Sequence, residues 1–92
     1  MSDDSLTQEV TVTNEQGLHA RPADLLVREA SRYESTIEII KETERVDAKS
    51  ILSVLTLGAT KGTKLIIEAS GPDASEALRA LMQMFQEGFK ID

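Results

Sequence analysis

Apolar and polar residues trade places along this chain at two periods, and the switches between them outline its elements. From Leu6 to Thr13 the period is two: Leu6, Val10 and Val12 share one face, with Thr7, Glu9, Thr11 and Thr13 on the other. That is the pattern of a strand buried on one side. Asn14-Glu15-Gln16-Gly17 is turn chemistry. Ala23, Leu26, Val27, Ala30 and Tyr33 then recur at helical spacing, predicting a helix that opens at Pro22 and runs to about Arg32. Proline suits a first helical turn because its missing N–H has no intrahelical partner there. Alternation returns over Thr36–Ile40, and Arg45-Val46 after the polar turn Lys41-Glu42-Thr43-Glu44 completes a hairpin with a short third strand.

Ser50 to Leu57 is a short apolar segment begun by an N-cap serine and closed by Gly58, read as a helix of about two turns. Lys64 to Ser70 predicts a fourth strand, broken by Gly71-Pro72-Asp73. Asp73 with Glu76 has the spacing of a capping box. A last helix then runs to about Glu87, with Ala74, Ala77, Leu78, Leu81, Met84 and Phe85 as its inner stripe. The order β-α-β-β-α-β-α predicts an α+β fold, one antiparallel sheet with helices over its single apolar face. Its 92 residues leave room for one core, so 1–92 is expected to be one domain.

Composition narrows the chemistry. Aromatics are only 3% of the chain, so the core must be aliphatic, and with no cysteine it holds neither disulfides nor thiolate metal sites. One histidine and scattered carboxylates supply no metal-ligand cluster, and no cofactor motif is present. No apolar run approaches the ~18 residues of a membrane span, and the start, Met1-Ser2-Asp3-Asp4, is unlike a signal peptide. A cytoplasmic protein without membrane insertion is expected. The net charge of −6 repels phosphate backbones, which argues against nucleic acid. Arg21 and Arg28, nearly on one helix face, and Lys49 before the next helix predict a small basic rim on an acidic body.

The densest chemistry lies in Gly17-Leu18-His19-Ala20-Arg21-Pro22-Ala23, which holds the only histidine. His19 falls at or beside a helix N-cap, next to unpaired backbone N–H groups and the positive end of the helix dipole, with Arg21 two residues on. Such a place attracts anions. An imidazole nucleophile there points to a phosphoryl group carried on histidine. Asp24, placed in the first helical turn close to His19, stabilises the helix by dipole logic and is expected to repel that group.

The same seven residues resemble the active-site signature of the HPr family, histidine-containing phosphocarriers of the phosphoenolpyruvate-dependent sugar phosphotransferase system. Lys49-Ser50-Ile51-Leu52-Ser53-Val54-Leu55-Thr56-Leu57-Gly58 resembles that family's regulatory serine segment. The spacing from His19 to Ser50 and the element order fit as well. The resemblance, over about residues 6 to 88, implies an open-faced β-sandwich: a four-stranded antiparallel sheet covered on one face by three helices.

It also implies a phosphoryl carrier rather than an enzyme. His19 would take the phosphoryl group from enzyme I on Nδ1 and pass it to enzyme IIA-type acceptor domains. Arg21 would steady the group, Pro22 would fix the turn, and the backbone at Ala20 and Gln16 would contact the phosphate. Ser50 would be modified by HPr kinase/phosphorylase where a bacterium has one. Docking is expected at Ala23, Arg28, Ile51, Leu52 and Leu55, beside Ala20 and Arg21, on a protein acting as a monomer. Two alternatives remain open: a carrier of the nitrogen-related phosphotransferase branch, or a regulatory binding module acting through Ser50.

Overall fold

Four strands form one antiparallel sheet: β1 (Ser5–Thr11), β2 (Thr36–Lys41), β3 (Glu44–Asp47) and β4 (Lys64–Ser70). Their spatial order is β1-β4-β2-β3, so the last strand in sequence fills the gap between β1 and β2. The computed structural model describes residues 5–90. Three helices, α1 (Ala20–Ala30), α2 (Ile51–Thr56) and α3 (Ala74–Gln86), complete the β-α-β-β-α-β-α order. This is the open-faced arrangement expected from the sequence.

Register explains why only one face is covered. Val10 pairs with Leu65, Ile39 with Ile67 and Ile37 with Ala69, and all six are buried. Side chains alternate along a strand, so these pairs place one continuous apolar sheet face under the helices. The helices answer with Leu26 and Ala30 from α1, Val54 from α2, and Ala77, Leu81 and Phe85 from α3, all buried. The other face carries pairs such as Thr7 with Glu68 and Glu38 with Asp47. There Arg45 bridges Glu38 at 2.7 Å and Glu68 at 2.8 Å, which holds the Glu68 carboxyl below its usual range, Arg45 first and the Ser5 hydroxyl second.

Four sequence expectations shift. β1 ends at Thr11 rather than Thr13, because Val12 bonds instead to the β4 approach, donating to Thr63 O at 3.0 Å and accepting from Gly62 N at 2.8 Å. Leu6, assigned to the inner face, stays 43% exposed on this edge strand. α1 ends at Ala30 rather than Arg32, since Arg32 N and Tyr33 N reach back only three residues, to Glu29 O and Ala30 O, tightening the last turn. Beyond α3, a 3₁₀ turn at Gly88–Lys90 buries Phe89, its ring 5.0 Å from that of Phe85 in an edge-to-face contact.

The capping box at Asp73 is absent. Asp73 is the N-cap of α3 but makes no side-chain cap bond. Its carboxylate instead accepts from Glu34 N at 3.0 Å, Ser35 N at 3.0 Å and Ser35 Oγ at 2.6 Å. Local spacing suggested a local cap, but the fold offered three donors from another loop. Gly71 lets that loop approach: its φ is +142°, and a Cβ there would lie 2.8 Å from Ser35 Cα.

Candidate functional site

The loop from β1 to α1 is held from below by backbone. Gly17 N donates to Asn14 O at 3.0 Å, and Leu18 N to Ala59 O at 2.9 Å. The Asn14 side chain closes the same turn, donating to Gly17 O at 2.7 Å. Asn14 and Leu18 are both buried. Gly17 sits at φ +71°, and a Cβ there would run into Ala59 O and lie 2.8 Å from Thr60 Cα. Only glycine fits both demands.

This anchoring delivers His19 to the head of α1. His19 is the N-cap, extended at φ −83° and ψ −165°, with no side-chain cap bond. Its carbonyl receives the first helical bond, from Ala23 N at 3.0 Å. The N–H groups of Ala20 and Arg21, ahead of that bond, have no acceptor within the helix. Pro22, the third helical residue, is buried and has no N–H to satisfy. His19 is half-buried, Ala20 and Arg21 are exposed, and Gln16 is exposed in the preceding turn. The arrangement brings together an imidazole, a guanidinium and two orphan backbone donors at the positive end of a helix dipole.

Asp24 is not in the first turn: it is the fifth residue of α1, and that turn contains no acidic side chain. Its carboxylate pairs with Arg28 Nε at 3.0 Å, one helical turn further from His19. The expected basic rim is accordingly thinner. Arg28 is committed to Asp24, and Lys49 Nζ donates to Tyr33 O at 2.7 Å.

The second motif is built on α2. Ser50 is its N-cap, and Ser50 Oγ accepts from Ser53 N at 3.4 Å. At the other end Lys41 Nζ donates to Leu57 O at 2.8 Å, satisfying a terminal carbonyl. Of the residues expected to dock partners, Leu52 is 74% exposed. Ile51 and Leu55 are half-buried against the core. Ala23 is corrected: it is 0% exposed, because it lies on the face of α1 that packs into the core cluster. Arg28 remains exposed, its side chain at 75%.

Sequence reasoning treated Asn14 only as a turn former. Its burial and its bond across the loop make it part of the site's support, and an asparagine placed three residues before Gly17 was the available signal. Nothing local marked Ala59 or Lys41, whose contacts span long sequence distances. Among the described residues, no group of three His, Cys, Asp or Glu side chains lies close enough to hold a metal ion. Among the described residues, no helix is long and apolar enough to cross a membrane.

Known proteins share this fold. Residues 6–87 match a family model described as the PTS HPr component phosphorylation site. The phosphocarrier protein HPr of Treponema pallidum (strain Nichols) is 44% identical over 81 residues, 88% of this chain and 92% of that protein. The crystal structure of an HPr from Thermoanaerobacter tengcongensis superposes with a TM-score of 0.91 at 36% identity, covering 95% of this chain and 98% of that one. A second structure, an HPr dimer from the same organism, gives 0.75 at 39% identity over 87% of this chain and 92% of that one. With the match spanning both motifs, the chain belongs to the HPr family, the phosphocarrier proteins of the phosphotransferase system.

Proposed function

We propose that His19 is the phosphoryl-carrying residue, charged by enzyme I and discharged to sugar-specific enzyme IIA domains. The observation that carries this reading is an N-cap histidine with no side-chain cap bond, standing at a helix end whose first N–H groups have no acceptor within the helix. A ring-nitrogen lone pair of His19 attacks the phosphorus of the donor's phosphohistidine. The new N–P bond forms as the donor's N–P bond breaks, and the donor imidazole leaves. The group brings about two negative charges, which Arg21 and the N–H groups of Ala20 and Arg21 offset. One guanidinium and a few backbone donors stabilise the phosphoryl group without trapping it, as a carrier requires.

The test is incubation with phosphoenolpyruvate and enzyme I. Wild type acquires one phosphoryl group and His19→Ala none; an unlabelled wild type overturns the reading. The chain is taken to work as a monomer. Because a related HPr was solved as a dimer, light scattering at working concentration decides that point.

Ser50 supports a regulatory layer. Its hydroxyl sits at a helix N-terminus that tolerates added negative charge, two residues before the exposed Leu52. Phosphate on Ser50 then acts at the docking surface rather than by unfolding α2. Ser50→Asp is expected to weaken enzyme I binding roughly tenfold with an unchanged fold. Equal affinity for Ser50→Asp and wild type removes this layer. The nitrogen-related branch differs only in the acceptors served, and transfer assays against both acceptor types separate the two.

A further inference from the structure

The arginines of α1 and its closing turn are treated unequally. Arg28 is paired with Asp24 at 3.0 Å and Arg32 with Glu29 at 3.3 Å, each acid lying N-terminal to its base. Arg21, nearest His19, has no such partner among the described residues, so one uncompensated positive charge remains, at the phosphoryl end. Arg21, Asp24 and Arg28 share the solvent face of the helix, three and four residues apart. Stability does not account for the Asp24–Arg28 pair, since its side chains are 37% and 75% exposed and such pairs contribute little. Its larger consequence is for the field that an approaching partner meets.

We propose that Asp24 is a specificity-determining residue: by neutralising Arg28 it confines the positive docking charge to Arg21, so partners acidic along the whole of α1 gain no advantage over those acidic only beside His19. This rests on the phosphocarrier reading above. Asp24 acts on encounter through Arg28, without touching the phosphoryl group.

The test measures kcat/KM for phosphoryl transfer from phosphorylated enzyme I, over a series of KCl concentrations, for wild type, D24N and D24N/R28Q. D24N is expected to raise kcat/KM about threefold to tenfold at low salt through KM, with kcat unchanged, and the gain should vanish at high salt. D24N/R28Q should lose both the gain and the added salt dependence that D24N shows. A helix-stability role predicts no gain in rate at all. An unchanged D24N rate and salt slope overturn the proposal, as does a gain that R28Q fails to cancel, because Asp24 would then act directly on the site. Failure of the parent reading is distinct: wild type itself would carry no label.

Discussion

His19 and Asp73 hold the same position at the heads of the two long helices, and neither caps its own helix. Asp73 is spent elsewhere, accepting three hydrogen bonds from Glu34 and Ser35. The His19 side chain makes no cap bond, and the backbone around it does the holding. The two N-caps differ in the donors around them. At Asp73 they tie the turn after β4 to the loop before β2. At His19 the nearby donors are the N–H groups of Ala20 and Arg21, which have no acceptor within the helix and suit a visiting anion.

The sharpest way to separate the two is to remove each side chain. His19→Ala should abolish phosphoryl acceptance yet leave folding stability within about 0.5 kcal/mol, as for other substitutions that break no internal bond. Acceptance assays and thermal melts on the same sample check both halves.

The support beneath His19 should be the more fragile part. Gly17→Ala places a methyl group against Ala59 O at a positive φ, which should cost about 2–4 kcal/mol. Denaturant melts give the loss, and labelling of the residual folded protein should be slow.

The smallest effect concerns pH. The Ser35 hydroxyl first, then the Glu34 N–H, hold the Asp73 carboxyl below its usual range. Asp73 therefore stabilises the fold fully above the ordinary carboxylate range, and this contribution fades as pH falls through the lowered value. Asp73→Asn should lower the melting temperature at neutral pH less than Gly17→Ala does, and should flatten the acid side of the stability curve. An acid slope equal to that of wild type would remove Asp73 from this role.

Much of this was legible in local pattern. Alternation at Ile37 and Ile39, helical spacing from Ala23 to Ala30, and the serine before Ile51 all reported burial or capping that neighbours in sequence decide. The failures share one cause. The Asp73–Glu76 spacing suggested a local cap, but donors some forty positions away were better placed. Asp24 looked close to His19 along the chain, yet one turn of helix set it beside Arg28. Ala23 looked available for docking, but its exposure depended on which helix face packs into the core.

The sequence by itself determined the order of elements, most of their inner-face positions, and a histidine set at a helix head in the company of an arginine. Those follow from periodicity and from turn and cap chemistry, which act over a few residues. Tertiary structure alone decided that Asn14 and Ala59 hold the loop under His19, that Asp73 fastens a distant loop, and that, among the described residues, Arg21 is the arginine of α1 left without an acidic partner. These depend on which groups compete for each donor and acceptor once the chain has folded, a contest that sequence spacing does not record.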